Sequence, residues 1–593
     1  MNTLHATPAR RNFGRAATLL LATFACAPVF ADDFGDSGKA TPSDAAVRAP
    51  SPAEETALRR QLDLEQADAT ARDGFTSAER ERTDMAALGL NADDPVALNA
   101  YRAEIDNDPD AVTASGDFTL NTSWGNGGLA ADRYAGSNGG TYLGIKAATL
   151  SNGDVVVVGQ VEFSASSARQ LGMTKRKADG SRAVWTGIDP QYSQYGGQYL
   201  IYPNTNISVP SLWRVLDVKV RSDKIYVLIT GHLDSPSTYA PNILCFNADG
   251  SGCGWWFAYM NASSPTNDAV AMDIYGGYLA VLGRNSLGTS GGFWTAVFPI
   301  NADGGLGSAS GANFPAPGGY DRSEPADIAF RRSMLLPLNV APDYYVLFTK
   351  KFSADTSSYD YDPCLLAVRG SNNAPDTTFD NNGVRCKPFD EADSLRTDKA
   401  VALTTNAWGT ITNSHQGVQV LVNVARSVDS GLGIWELYDR ADHPRFGAMG
   451  GAAGSHARGA GRAVFGGCGP NGDGEGCLFL GRRAAHTGND LLNVGSDVVV
   501  AGFRYGNALG GSTRYNSSLI ARVNGDSGEL EQFSTFPSGY SEGWFYSLVA
   551  RNDHDVIGIG AAIDGAVSTS TARTQIMTGL TSLDDVIFKN GFD

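Results

Sequence analysis

The chain has 593 residues, 70 of them glycine, with 46 lysines and arginines against 63 aspartates and glutamates, for a formal charge of −17. So acidic a surface repels phosphate backbones and argues against nucleic-acid binding. Beyond the first residues no apolar run reaches the about 18 residues of a spanning helix, and the glycine, valine, tyrosine and threonine content suits short strands joined by tight turns.

Residues 1–31 have the form of a secretory signal peptide. Arg10, Arg11 and Arg15 give a basic start, Ala16 to Ala25 an apolar stretch, and Val29-Phe30-Ala31 small residues at −3 and −1 before a cut at Asp32. Thr23-Phe24-Ala25 before Cys26 is a poor lipobox, so lipid anchoring is not expected. Residues 32–111 read as a polar linker followed by short helices. Thr76-Ser77-Ala78-Glu79 has capping-box form, and Asp94-Pro95 sets an N-cap before a proline suited to the first helical position.

From residue 112 to 580 the pattern is β throughout, and it repeats. Leu120 to Gly180 reads as one unit: a strand, a turn at Ser123-Trp124-Gly125-Asn126-Gly127-Gly128, the buried strand Val155-Val156-Val157-Val158-Gly159, a further strand, and the turn Lys177-Ala178-Asp179-Gly180. Later copies centre on Val215–Gly231, Ala269–Gly283, Ala326–Thr349, Ala400–Val424, Asp497–Gly525 and Tyr546–Gly560. Each offers about four strands and no crossover helix, which favours antiparallel blades stacked in a ring. A blade cannot bury both faces alone, and a ring covers them. The expected fold is all-β: a single β-propeller of about seven four-stranded blades over 112–580, with six or eight left open, preceded by a small helical N-terminal segment and followed by a tail at 581–593.

The pairing of Leu120-Asn121-Thr122-Ser123-Trp124-Gly125-Asn126-Gly127-Gly128 with Asn152-Gly153-Asp154-Val155-Val156-Val157-Val158-Gly159 and Ala178-Asp179-Gly180-Ser181 resembles the delta-60 repeat of secreted bacterial proteins. That resemblance is good over 117–182, fragmentary at 371–384 and near 497–525, and textural elsewhere. It implies a propeller and secretion, and no particular reaction. Ile587-Phe588-Lys589-Asn590-Gly591-Phe592 in the tail is similar to a short C-terminal signature of assorted secreted proteins of gram-negative bacteria.

Six cysteines lie beyond the signal: Cys245, Cys253, Cys364, Cys386, Cys468 and Cys477. Six allow 15 pairings, and their grouping into three close pairs favours local structural disulfides in an oxidising compartment. Secretion or the periplasm is the expected location.

Chemical motifs are few. Ala484-Ala485-His486 and Gly525-Asp526-Ser527-Gly528 are trypsin-like fragments, but His486 and Ser527 stand too close in sequence for a two-barrel protease, and Glu529 replaces the glycine that motif needs. Asn471, Asp473 and Glu475 alternate with glycine as a flexible structural Ca²⁺ loop would, without EF-hand spacing. Asp179, Asp249 and Asp303 read as turn residues, and no cofactor is expected beyond that Ca²⁺. Tyr192, Tyr195, Tyr199, Trp255, Trp256, Tyr359, Asp360 and Asp362 are aromatics and acids able to hold a sugar or polymer at a propeller mouth. Packing between blades is the plainer reading for the tryptophans and tyrosines. The leading expectation is a monomeric, secreted, non-catalytic module that binds an extracellular glycan, a cell-envelope polymer or a protein. The alternative is an extracellular hydrolase or lyase whose carboxylates converge on the channel from different blades.

Overall fold

A computed structural model describes residues 91, 93–99, 118–132, 141–162, 170–194, 197–202, 214–231, 240–257, 268–284, 292–315, 322–332, 340–355, 358–379, 383–386, 397–410, 413–425, 430–438, 476–480, 485–494, 497–507, 514–523, 530–536, 542–552, 555–563 and 573–582. The expected signal peptide, most of the expected linker and residues 583–593 of the expected tail lie outside these residues, while 581 and 582 end the last strand. Within 91–99, residues 95–99 are helical, and Asp94 Oδ1 accepts the Val96 N–H at 2.9 Å, the cap expected from Asp94-Pro95.

Among the described residues the chain then forms 31 strands. β1 (Phe118–Leu120) and β2 (Leu129–Asp132) come first. Blade 1 holds β3 (Thr141–Thr149), β4 (Val155–Glu162), β5 (Gln170–Arg176), β6 (Ser193–Gln194) and β7 (Tyr199–Tyr202). Blade 2 holds β8 (Arg214–Arg221), β9 (Lys224–Gly231), β10 (Ala240–Asn247) and β11 (Gly252–Phe257). Blade 3 holds β12 (Asp268–Tyr275), β13 (Tyr278–Arg284), β14 (Phe293–Pro299) and β15 (Ser310–Phe314). Blade 4 holds β16 (Arg322–Phe330), β17 (Tyr344–Asp355), β18 (Ser358–Arg369), β19 (Ala374–Pro375) and β20 (Val384–Cys386). Blade 5 holds β21 (Thr397–Thr410), β22 (Asn413–Ala425), β23 (Ser430–Tyr438) and β24 (Gly476–Leu480). Blade 6 holds β25 (Ala485–Val494), β26 (Asp497–Asn507), β27 (Arg514–Val523) and β28 (Leu530–Phe536). Blade 7 begins with β29 (Glu542–Ala550), β30 (Asp555–Ile563) and β31 (Arg573–Ser582).

Within every blade the strands pair antiparallel, in chain order except that in blade 1 β5 pairs with β7, which pairs with β6, and in blade 4 both β19 and β20 pair with β18. Blades 4 and 5 touch through one parallel bridge, Tyr361 with Thr397. The inner strands β3, β8, β12, β16, β21, β25 and β29 lie each against the next, and β29 returns to β3. The molecule is a seven-bladed β-propeller.

Two-sided burial explains why the central strands are so apolar. Along β4, Val155 and Val157 pack against blade 7, while Val156 and Val158 pack against blade 2, because successive strand side chains point to opposite faces. Seven such clusters fill the seven seams, the others joining blades 2 and 3, 3 and 4, 4 and 5, 5 and 6, and 6 and 7.

The N-terminal strands do not belong to the blade that follows them. β1 and β2 pair with β31, so the first strands of the ring complete its last blade. The stretch Leu120–Gly180 is therefore divided between blades 7 and 1, a correction to its reading as one unit. The repeat period is right but its frame is shifted: strands from the start of the ring complete the sheet of its last blade and cover the edge of β31. Asp132 on β2 reinforces the closure: its carboxylate meets Arg176 at 2.6 Å and Arg182 at 2.7 Å in blade 1. Trp124, fully buried, lies against Gly180 and Gly579, and the Gly125 N–H donates to the Asp179 carbonyl at 2.8 Å. Blades 1 and 2 repeat this lock with Trp185 against Gly250 and the Gly187 N–H on the Asp249 carbonyl, also 2.8 Å.

A charged channel as the candidate functional site

Each inner strand carries one extra residue against its neighbour. The register slips between Gly144 and Lys146, Val215 and Asp217, Ala269 and Ala271, Pro325 and Asp327, Ala400 and Ala402, Gly488 and Asp490, and Phe545 and Ser547. A bulge of this kind leaves backbone N–H groups without ladder partners, and the adjacent blade supplies acceptors. Thr230 Oγ1 accepts the Ala269 N–H at 3.3 Å, Thr349 Oγ1 the Ala400 N–H at 3.0 Å, and Asn423 Oδ1 the Gly488 N–H at 2.8 Å.

The residue just past the bulge follows an alternation. Blades 2, 4 and 6 place Asp217, Asp327 and Asp490 there, while blades 3, 5 and 7 place Ala271, Ala402 and Ser547. Each aspartate reaches over the small residue of the next blade. Asp217 accepts the Met272 N–H at 3.1 Å, Asp327 the Leu403 N–H at 2.8 Å, and Asp490 the Leu548 N–H at 2.9 Å. Seven is odd, so the alternation cannot close, and blade 1 places Lys146 at the mismatch. Its ammonium passes blade 7 to meet Asp490 at 2.9 Å.

Further charges complete the channel wall. Lys219 meets Asp217 at 3.3 Å, and Asp273, whose Oδ2 accepts the Phe330 N–H at 2.8 Å, meets Arg332 at 3.4 Å. The second oxygens of Asp217 and Asp327 accept the N–H of their own next residues, Val218 and Ile328, both at 2.8 Å. Burial opposes the charge on Lys146, but Asp490, Asp217 and Asp327 outweigh it and hold the ammonium above its ordinary range. Lys219 is raised likewise, burial being overcome by Asp217, Asp273, Asp327 and Asp490. Asp327 goes the other way for a carboxyl: burial pushes it up to about 7, with Lys219 and Lys146 pulling it down and Asp217 adding to the rise.

The residues singled out from the sequence are spread over three blades. In blade 1, Tyr199 is buried with the Arg182 guanidinium 5.2 Å from its ring centroid, and Tyr192, itself half-buried, ends a 3-10 turn, Pro190–Tyr192. In blade 2, Trp256 on β11 packs against the seam with blade 3 and covers Gly254. In blade 4, Asp362 on β18 is buried opposite Lys350. Trp255, Tyr359 and Asp360 occupy strand positions on β11 and β18, with side chains outside the described residues. Tyr195, Asn471, Asp473, Glu475 and Ser527 lie outside them entirely, and His486 is placed by backbone alone, paired with Arg504. Among the described residues, no three Asp, Glu, His or Cys side chains are grouped to hold a metal ion.

Two expected disulfides are present, Cys245–Cys253 and Cys364–Cys386. Cys477 lies on β24 and Cys468 outside the described residues. Disulfides fit an oxidising, extracellular setting, and among the described residues no helix is long and apolar enough to cross a membrane. The turn reading of Asp179, Asp249 and Asp303 matches their bonds: their carboxylates accept the N–H groups of Ser181, Ser251 and Gly305 at 2.8, 2.9 and 2.8 Å.

The channel carboxylates were not singled out from the sequence. The available signal was a lone aspartate inside an apolar strand, as in Val215-Leu216-Asp217-Val218 and Ala326-Asp327-Ile328. In a strand buried on both faces such a residue needs a polar partner across a seam.

No known protein family matches the sequence, and no curated protein is similar to it by sequence. Solved structures with a similar arrangement include a Bombyx mori GH32 beta-fructofuranosidase, 9% identical over 82% of this chain and 95% of that one, with a TM-score of 0.27. Others are an alpha-L-arabinofuranosidase from Fusarium graminearum (8% identical, 80% and 99% covered, TM-score 0.35) and Drosophila Semaphorin 2a (7% identical, 78% and 76% covered, TM-score 0.38). Likeness at this level carries no argument about activity, and the fold rests on the strand topology above.

Proposed function

We propose that this propeller is a secreted, non-catalytic binding module for an extracellular glycan or cell-envelope polymer. The observation that supports this reading is the commitment of the channel acids. Both oxygens of Asp217, Asp327 and Asp490 are engaged by backbone N–H groups or by Lys146 and Lys219. An acid or base acting on a substrate needs a free lone pair or proton aimed at the reacting atom. Here one oxygen of each aspartate is taken by an N–H of the next blade, a structural use that supports assigning recognition to the rim and loops, with Tyr192 of the 3-10 turn Pro190–Tyr192 among the candidate aromatics. Aromatic faces beside carboxylates suit sugar rings.

The test is a binding survey. Purified protein is expected to sediment with polysaccharide-containing envelope fractions and to give a saturable titration with the isolated polymer. Absence of affinity for every envelope fraction would overturn the reading. Release of new reducing ends from such a polymer, lost on Asp327→Asn, would replace it with hydrolysis at the channel.

A further inference from the structure

The inner strands run in step around the channel. Each aspartate past a bulge meets the N–H one position further along the next inner strand, so the hairpins that follow these strands gather at one end of the channel. Counted from the residue just past the bulge, the ladder to the second strand runs three residues further in blades 1, 4 and 7, to Thr149, Phe330 and Ala550. It runs four in blades 2, 3 and 6, to Arg221, Tyr275 and Val494. In blade 5 it runs eight, from Ala402 to Thr410. At about 3.3 Å per residue, four extra residues carry that hairpin about 13 Å past the ladders of its neighbours.

The extension is a ribbon of two strands. β23 stops pairing with β22 at Gly417, opposite Tyr438, and among the described residues nothing pairs with the outer edge of β21 there. A two-stranded ribbon is marginal on its own, and Asn406, Gly409, Asn413 and Gly417 are poor strand formers. Neither propensity nor the sheet accounts for the extra length. Its composition is distinctive: no Asp, Glu, Lys or Arg occurs from residue 400 to 425. The register sets Trp408 opposite His415, Thr410 opposite Asn413 and Ala407 opposite Gln416. Because successive strand positions alternate between faces, Asn406, Trp408 and Thr410 share one face of the ribbon with Asn413 and His415.

We propose that this blade 5 hairpin is a sugar-binding arm centred on the Trp408–His415 pair and that its ligand is an uncharged glycan, an assignment that rests on the binding reading above. An indole covers the apolar face of a sugar ring, while amides and hydroxyls exchange hydrogen bonds with its hydroxyl groups. A ribbon without Asp, Glu, Lys or Arg holds no ion that a neutral ligand would strip of water without replacing it. The formal charge of −17 points the same way, since it repels an acidic polymer and exerts no such force on a neutral one.

The experiment titrates purified protein with envelope polysaccharide separated by anion exchange into an uncharged and an acidic pool. Saturable binding to the uncharged pool is expected, weakened about tenfold or more by Trp408→Ala with the thermal midpoint unmoved, and largely kept by Trp408→Tyr. Equal binding to both pools, or preference for the acidic one, would overturn the proposal. Unchanged affinity in Trp408→Ala would overturn it while leaving the binding reading intact, whereas wild type that binds neither pool takes both away. A second measurement needs no variant: oxidative footprinting read by mass spectrometry should show Trp408 labelled in free protein and shielded by the uncharged pool. Labelling of Trp408 that saturating polymer does not change, or no labelling in free protein, would overturn the proposal even if Trp408→Ala failed to fold.

Discussion

Asp217 shows how a single charged side chain can be a seam rather than a site. It sits inside an apolar strand, 3% exposed, and gives its oxygens to Val218, to Met272 of the next blade and to the Lys219 ammonium. Replacing it with alanine leaves the Met272 N–H buried without an acceptor and Lys219 without its closest counter-charge. Asp217→Ala is expected to lower stability by about 2–4 kcal/mol, since loss of one partner exposes the cost of the groups left behind. Urea unfolding followed by tryptophan fluorescence checks this. A loss no larger than that of an exposed substitution such as Val96→Ala would mean that Asp217 does not join the blades.

At the scale of elements, the Trp-Gly turn and the Asp-Gly turn work as two halves of one fastening. Gly180 has φ +81°, and a Cβ there would come within 2.4 Å of the Gly125 nitrogen, so the close approach requires glycine. The Trp124 ring fills the space this opens. Trp124→Ala is expected to cost about 3–5 kcal/mol, the usual range for emptying a fully buried aromatic position, and to shift the urea midpoint accordingly. The same turn geometry recurs at Asp376, which accepts the Thr378 N–H at 3.2 Å as Asn121 accepts that of Ser123. Phe379 there takes the place of Trp124 and packs on Tyr345 with centroids 5.6 Å apart.

These elements also show which parts of the molecule were legible in the sequence. The valine run of β4 announces burial on both faces, and the Asp-Gly turns announce their own hydrogen bonds, so the blade unit can be read locally and the blade number only as about seven. Frame and channel cannot. The pairing of β1 with β31 joins residues such as Phe118 and Ser582 from opposite ends of the chain. The partners of Asp327 and Asp490 lie 76 and 58 residues further on, in the next blade. Periodicity reports that a strand is buried, but it does not report which neighbour covers it.

For the whole molecule, closure by strands from both ends makes the ring a single cooperative object. Removing everything up to residue 132 deletes β1 and β2, uncovers the edge of β31, and takes Asp132 away from Arg176 and Arg182. Such a chain is expected to unfold in a broader transition at lower temperature and to self-associate through the open edge. Calorimetry with light scattering checks this. An unchanged transition and a monodisperse monomer would show that the closure contributes nothing. A cut confined to residues before 91 is expected to leave the transition in place.

The same closure sets a timetable for biosynthesis. The strand ending at Asp132 waits for the one beginning at Arg573, a span of 441 residues (573 − 132). At about 5–20 residues per second, the ribosome takes roughly 20–90 s to deliver the missing partner. Throughout that interval the nascent chain carries an unmated strand at its head, within reach of chaperones and of neighbouring copies, until the last sheet arrives to receive it.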